Sequence, residues 1–522
     1  MHWNYAKGFA ASAEKYPENL AVVCGKSSLT YGALKTCAQK LAGQITPALK
    51  EKRVGVLASR SIETVTAFLG VAWAGGTYVP LGLNQPEARL IALFEHLELD
   101  ALIVDERGAK KLSPALLKAA PQLILIPTSD AGEFEPHPQS TIYPDAPLVG
   151  EPTNISPEQL AYIVFTSGTT GMPKGVMVNG RSITLYMDAI TPHYQLGPND
   201  RAAETCEATF DLSIHNMLTA WRGGAALHIM RPLDLVAPAR FIRTNAITTW
   251  LSVPSIVTLM RQAGGLKPDS LPSIRLTWFC GEPLAEQTVR DWSAAAPNSV
   301  IENFYGPTEI TVAVVCQRWT GNGPVTPERG IVSIGKPIAG VQMLIVDQKG
   351  NEVPDGVPGE IVLAGEQCSS GYFRKPELSQ KVFKEVGGLP GYFTGDRGYK
   401  DEDGKFHHLG RFDNQIKFKG HRIELEEIDA RLREAAGATM VGTVAWPVNG
   451  DVIEGLAAFY SVPGLAKEEV RDRMRATLPP HMVPEHIENV SNMPLNANGK
   501  VDRKALIAIL EMRSNPTIQA AE

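Results

Sequence analysis

Cysteine is sparse and scattered: Cys24, Cys37, Cys206, Cys280, Cys316 and Cys368 are the six in 522 residues. None forms a C-x-x-C pair, so neither a zinc-site spacing nor the framework of a disulfide-stapled secreted domain is present. No stretch approaches the ~18 consecutive apolar residues that span a bilayer, and Met1-His2-Trp3-Asn4-Tyr5 lacks a basic-then-apolar leader pattern. A dominant charge is missing too. Fifty Lys+Arg against 56 Asp+Glu leave a net charge of -6, which removes the simplest case for a nucleic-acid or anionic-membrane partner. The expectation is a cytoplasmic protein that works on neither nucleic acid nor membrane.

What is present is the composition of a folded chain: 44% hydrophobic, 20% charged, 47 Gly and 38 Pro, enough length for three or four units at roughly 150 residues each. Short apolar strands alternate with amphipathic helices. Arg53-Val-Gly-Val-Leu-Ala58 reads as a strand; after Ser61 as N-cap, Ile62, Val65, Phe68, Leu69 and Ala72 keep helical spacing until Ala74-Gly75-Gly76. Leu102–Val104 and Leu123–Ile126 continue the strand series. Such alternation predicts an α/β fold of parallel sheets with crossover helices, whose ligands bind at the carboxyl ends of strands. The Pro-, Ser- and Asp-rich stretch 127–157 reads as a surface loop. Composition changes again after Gly410, and a helix near 424–434, strands at 441–445 and 456–460, and a helix near 467–478 stopped by Pro479-Pro480 follow. Two parts are therefore expected: a large N-terminal α/β region, 1–410, and a small C-terminal α+β domain, 411–522.

The buried-strand pattern Tyr162–Phe165 empties into Thr166-Ser-Gly-Thr-Thr-Gly-Met-Pro-Lys-Gly175. Closely spaced main-chain N–H groups, hydroxyls and one lysine make a phosphate cradle. A P-loop NTPase would need G-x-x-x-x-G-K-[ST]. Here two residues separate Gly168 from Gly171, Met172-Pro173 precede Lys174, and Gly175 replaces the hydroxyl residue.

That loop resembles the signature of the adenylate-forming enzymes, which include acyl-CoA synthetases, luciferases and nonribosomal-peptide adenylation domains. Companion motifs follow in order: Ala74–Pro80, Asn303-Phe-Tyr-Gly-Pro-Thr-Glu309, Tyr392–Asp396, Gly410–Asp413 with Gly420, and Pro494–Lys500. The resemblance implies ATP and Mg²⁺ as cofactors. Thr166, Ser167, Gly168, Thr169, Thr170, Gly171 and Lys174 would cradle phosphates. Gly281, Glu282, Asn303, Phe304, Tyr305 and Gly306 would line the nucleotide, Tyr305 against adenine, with Asp396 and Arg411 at the ribose. Glu309 would organise the metal ion, Thr308 the α-phosphate, and Lys500 would touch both carboxylate and α-phosphate. Asp413 would be the hinge of a small domain that rotates between half-reactions.

Ala208-Thr-Phe-Asp-Leu-Ser-Ile-His215 resembles the motif of amino-acid-activating members, in which an Asp after Phe pairs with the α-ammonium. By that resemblance Phe210, Asp211, Leu212, His215, Leu251, Trp278, Cys280, Phe304, Val312 and Ala313 line the substrate. The pattern is nearest to D-alanine:carrier protein ligases, although Trp278, Phe304 and His215 are larger or more polar than that subfamily implies. A small amino acid such as alanine or glycine is expected. No carrier-sized region follows Ala505–Leu510, so the acceptor is expected to be the phosphopantetheine thiol of a separate carrier protein, with Lys417, Lys419, His421 and Arg422 as its basic docking cluster or an ordinary solvated face. An acyl- or aryl-CoA synthetase and a catalytically silent nucleotide sensor stand as alternatives.

Overall fold

The computed structural model describes residues 3–128, 130–143, 148–168, 173–450, 452–496 and 501–514. The chain divides into two compact units. One comprises Met1–Leu83, Leu90–Phe165 and Gly175–Phe412; the other comprises Asn84–Arg89, Thr166–Lys174 and Asp413–Glu522. The larger C-terminal segment thus begins at Asp413, and two short upstream pieces belong with it, which no compositional change marks.

The first unit is built on parallel strands. Among the described residues, Val300–Tyr305, Leu276–Phe279, Thr249–Ser252, Arg201–Glu204, Ala226–Ile229 and Leu20–Cys24 lie side by side and parallel within a nine-stranded sheet. Thr249–Ser252, Leu276–Phe279 and Ala226–Ile229 are buried at every position, because helices cover both faces of such a sheet. A seven-stranded sheet centres on Arg53–Leu57, flanked in parallel by Thr77–Leu81 and Ala101–Val104, with Leu160–Thr166 and Leu123–Pro127 beyond them. The helix Ile62–Trp73 starts as its sequence dictates, the Ser61 hydroxyl accepting the Thr64 N–H, and it buries Phe68, Leu69 and Trp73 in the main core. A third, antiparallel sheet joins Gln342–Val346, Gly359–Ala364, Leu389–Lys400 and Phe406–Arg411, with Phe383–Val386 at its other edge.

The stretch 127–157 is not wholly loop. Phe134–Pro136 pairs antiparallel with Leu123–Pro127, and its buried Phe134 is a single apolar anchor too short to show as periodicity.

In the second unit, the three-stranded sheet Val441–Ala445, Leu456–Tyr460 and His486–Asn489 packs with helices Leu425–Ala436 and Lys467–Arg475 around Ile428, Leu432, Val470 and Met474. The second helix stops at Arg475, earlier than periodicity suggested, and Pro480–Met482 forms a 3₁₀ turn. Gln415–Phe418 and His421–Glu424 form a separate hairpin.

Candidate active site

Parallel register brings the carboxyl ends of several strands in the nine-stranded sheet together. Ser252 lies opposite Phe279, and Phe279 opposite Asn303, so the loops leaving these strands emerge on one edge, where open α/β sheets hold ligands. The loop after Val300–Tyr305 carries Thr308 and Glu309 in a short 3₁₀ turn, Thr308–Ile310. Gly306 is required there by close approach. A Cβ at this position would fall 2.4 Å from the Ala313 Cα and 3.0 Å from the Val312 carbonyl oxygen. Beyond the turn, Thr311 and Val312 both take φ of 65°, which β-branched residues rarely adopt and which costs about 1–3 kcal/mol each. Thr311 is held by its hydroxyl donating to the Gln367 carbonyl at 2.6 Å. The strain turns Val312 and Ala313 into the main core.

Glu309 is fully buried, and its Oε1 accepts the Tyr372 hydroxyl at 2.8 Å. Asp211 opens the helix Asp211–Arg222, with Phe210 as N-cap and Asp211 itself the first helical residue. The Asp211 carboxyl is pushed up to about 6, chiefly by burial; Thr308 hydrogen bonding lowers it and the Glu309 charge raises it further. Its Oδ2 meets no hydrogen-bond partner among the described residues. Two buried acids that repel each other are a fitting place for cationic ligands, an ammonium and a divalent ion among them.

The expected substrate residues converge. Leu212, Leu251, Trp278, Cys280, Phe304, Val312 and Ala313 all fall in one core cluster, and Leu251 and Trp278 are cross-strand neighbours. His215 stands one helical turn after Asp211, its ring edge-on to Trp278 at 5.3 Å between centroids and its Nδ1 2.6 Å from the Tyr186 hydroxyl. Burial lowers the His215 pKa to about 3, so the imidazole is neutral at pH 7. Tyr194 packs at 4.4 Å against Trp278 and 6.1 Å against Phe304. Tyr186 and Tyr194 escaped the motif reading because they lie on Gly180–Tyr194, a helix without a signature.

The expected nucleotide residues are already engaged. Asp396 accepts from the Tyr305 hydroxyl through Oδ2 and from Arg411 Nη1 through Oδ1 at 2.6 Å, with His408 Nε2 at 3.6 Å; His408 has no motif to announce it. Asn303 donates to the Val332 and Ser333 carbonyls. Glu282 accepts from Ser255 N and Oγ at 2.8 and 3.0 Å, bracing the start of the helix Pro254–Gln262. Gly281 has φ of 88°, a conformation that favours glycine. Three groups elsewhere, His193, Glu302 and Cys316, bring donor atoms within 4.8 Å of one another. Arg318 donates twice to Glu302 Oε1, at 2.8 and 3.0 Å, and so supplies the positive charge a metal ion would.

In the second unit, Ser167 Oγ donates to the Arg422 carbonyl at 2.6 Å, Gly168 N donates to Glu427 Oε2 at 3.1 Å, and Lys174 Nζ pairs with Glu424 Oε1 at 3.0 Å. Arg89 Nη1 meets Glu427 Oε1 at 2.7 Å. Asp413 is exposed and accepts the Gln415 N–H. Thr169, Thr170, Gly171 and Lys500 lie outside the described residues. The basic cluster is weaker than its sequence suggests: His421 stacks on His481 at 3.5 Å, and burial lowers its pKa to about 4, leaving it neutral, while Lys419 pairs with Glu485 at 3.3 Å.

A family model described as AMP-binding enzyme matches residues 9–373. Tyrocidine synthase 3 of Brevibacillus parabrevis is 31% identical over 95% of this chain, and surfactin synthase subunit 2 of Bacillus subtilis 31% over 96%. The chain spans 8% and 14% of the length of these relatives. Among solved structures, the Vibrio cholerae adenylation domain AlmE, in complex with glycyl-adenosine-5'-phosphate, has a TM-score of 0.86 at 27% identity, covering 98% of each chain. Holo-PA1221, a nonribosomal peptide synthetase protein containing adenylation and PCP domains, has 0.81 at 26%, covering 97% of this chain and 84% of its own. With the strand-end site and these likenesses together, the chain belongs to the AMP-binding enzyme family of adenylate-forming proteins and has the fold of a nonribosomal-peptide adenylation domain.

Proposed function

We propose that this protein activates a small amino acid, alanine or glycine foremost, as an aminoacyl-AMP with release of pyrophosphate, and passes the acyl group to the phosphopantetheine thiol of a separate carrier protein. The observation that carries the reading is Asp211: a buried carboxylate at a helix start, with one oxygen unpartnered among the described residues, beside a wall of His215, Trp278 and Tyr194. An α-ammonium would supply the charge that Asp211 lacks. Bulky, buried walls favour a small side chain, and the glycyl adenylate bound to AlmE supports the same size class.

In this reading the carboxylate oxygen of the amino acid attacks the α-phosphorus, and pyrophosphate leaves. Thr308 and Lys500 meet the charge that accumulates on the phosphate. Glu309 would hold Mg²⁺, a hard cation that suits one carboxylate plus phosphate oxygens; bound there, the ion would neutralise phosphate charge. Asp396 and Arg411 orient the ribose, Tyr305 offers a face to adenine, and Asp413 serves as the hinge. The two-part division at about 410, the carrier in trans and a cytoplasmic location belong to the same proposal. Six free thiols suit a reducing compartment, and no helix among the described residues is long and apolar enough to cross a membrane.

The test is exchange of labelled pyrophosphate into ATP across the standard amino acids and their D-isomers. Exchange with alanine or glycine supports the reading. Release of γ-phosphate and ADP would refute it, and efficient use of free CoA with a non-amino acid would replace it with an acyl-CoA synthetase.

A further inference from the structure

Glu302 is buried in the strand Val300–Tyr305, and its two carboxylate oxygens meet different surroundings. Oε1 accepts from Arg318 Nε and Nη2 at 3.0 and 2.8 Å and stands 3.1 Å from His193 Nε2. Oε2 has no hydrogen-bond partner among the described residues, although Glu302 is only 1% exposed. An unsatisfied carboxylate oxygen is costly where water is excluded, and folded proteins meet such groups with a donor, an ordered water or an ion. Tyr194, next to His193 in the chain, also buries its hydroxyl without a partner among the described residues.

Strand register gathers further groups around that carboxylate. Val315–Arg318 pairs antiparallel with Val300–Tyr305, so that Arg318 faces Glu302 and Cys316 faces Phe304. Side chains two residues apart share one face of a strand, which puts the Cys316 thiol on the same face as Glu302. His193 arrives from the last turn of the helix Gly180–Tyr194. An imidazole nitrogen, a carboxylate oxygen and a sulfur thus lie within 4.8 Å of one another. Ligand atoms on a tetrahedral zinc ion stand roughly 3.3–3.8 Å apart, so closure needs about 1 Å of movement. The His193 and Arg318 side chains, 43% and 54% exposed, have the freedom to make it. Charge permits the exchange. In the structure the Arg318 guanidinium balances Glu302; a divalent ion between Glu302 and a Cys316 thiolate leaves the cluster equally neutral once Arg318 turns out into water. Coordination moves two protons: Cys316 gives its proton to solvent, and His193 carries its proton on Nδ1 instead of on the Nε2 that faces Glu302.

We propose that His193 Nε2, Glu302 Oε2 and the Cys316 thiolate form a site for a thiophilic divalent cation, zinc foremost, with a solvent water as fourth ligand and Arg318 displaced. The donor set selects the ion: nitrogen and sulfur ligands suit zinc or cobalt, whereas magnesium is held by oxygens. The site is therefore distinct from the Glu309 position and independent of the amino-acid activation proposed above. It lies against the wall of the substrate residues. Glu302 stands opposite Trp278 in the register and two residues, about 7 Å, before Phe304, and Tyr194 packs on the rings of both Trp278 and Phe304. A cation on His193 pins the end of the helix that carries this ring.

Cobalt(II) is the probe, because a thiolate-to-cobalt charge-transfer band and the intense visible bands of a tetrahedral ion report the ligands directly. Titration of the chelator-stripped full chain, with no nucleotide or amino acid present, should give one cobalt ion per chain with both features; zinc should displace it and excess magnesium should not. Cys316→Ser should abolish the charge-transfer band, His193→Gln should weaken binding by at least about tenfold, and Cys24→Ser and Cys206→Ser should bind as the wild type does. Arg318→Gln removes the competing charge and should tighten binding by about tenfold, a gain that a purely structural arginine would not give. Zinc should raise the thermal midpoint of the wild type and not that of Cys316→Ser. A charge-transfer band that survives in Cys316→Ser, or wild-type binding no tighter than that variant's, overturns the site and leaves the activation reading standing. Unchanged or weaker binding in Arg318→Gln refutes the exchange of guanidinium for metal ion. If Cys316→Ser fails to fold, His193→Gln, altered at an exposed position, decides in its place: cobalt binding equal to the wild type's there refutes the proposal.

Discussion

Replacing Asp211 with Asn should stabilise the ligand-free protein at neutral pH while crippling use of amino acids. Burial, followed by the Glu309 charge, raises the Asp211 carboxyl from 3.8 to about 6. Two units at ~1.4 kcal/mol each amount to about 3 kcal/mol of penalty for an ionised Asp211 in the empty site. Between pH 3.8 and 6 the unfolded chain has released this proton and the native chain retains it. The favourable contribution is therefore fully present below 3.8 and is lost as pH rises through about 6. Asn carries no such dependence. Unfolding free energies of wild type and Asp211→Asn from denaturant titration should differ by up to about 3 kcal/mol at pH 7.5, the variant being more stable, and converge near pH 4. An α-ammonium reverses the balance, since it pulls Asp211 back to its charged form. Amino-acid-dependent exchange should fall as pH drops below about 6 in the wild type. In the variant it should fall by about 100-fold or more at pH 7.5, the cost of leaving a buried ammonium unpaired. A variant no more stable than wild type at pH 7.5, or one that handles amino acids normally, would refute the reasoning.

Trp278→Ala removes the buried wall between His215 and Tyr194. It should cost about 3–5 kcal/mol of stability by denaturant titration and let leucine or phenylalanine support pyrophosphate exchange that the wild type refuses. Gly306→Ala puts a methyl group 2.4 Å from the Ala313 Cα; the displaced turn should lower exchange activity far more than it lowers thermal stability. Lys500→Ala should abolish exchange yet leave thioester formation from supplied aminoacyl-AMP largely intact, measured by mass of the loaded carrier, and equal loss of both steps would contradict the division of labour.

The parts of the fold that the sequence made legible are those governed by local rules. Ser61 caps its helix through the expected hydroxyl, the strands at 53–57, 101–104, 441–445 and 456–460 match their apolar runs, and motif order located the loops at strand ends. What stayed hidden depends on neighbours distant in sequence. Phe134–Pro136 is a strand only because Leu123–Pro127 offers it an edge. The positive φ of Thr311 and Val312 runs against their β-branched side chains and is held by the Gln367 carbonyl, 56 residues away. His421 reads as one more basic residue in a basic stretch, yet His481 stacks on it and burial keeps it neutral. The acidic run Glu424-Leu-Glu-Glu427 reads as a favourable start to a helix, with anionic groups near the N-terminal dipole, and so gives no hint of another use. Only the pairing with Gly168 and Lys174, more than 200 residues upstream, shows that two of these acids face a loop whose composition suits anions. A helix N-terminus already rewards glutamate, so the same residues satisfy a local rule and a long-range one at once; the local rule is visible in the string of letters, and the long-range one becomes visible only when the chain has folded back on itself.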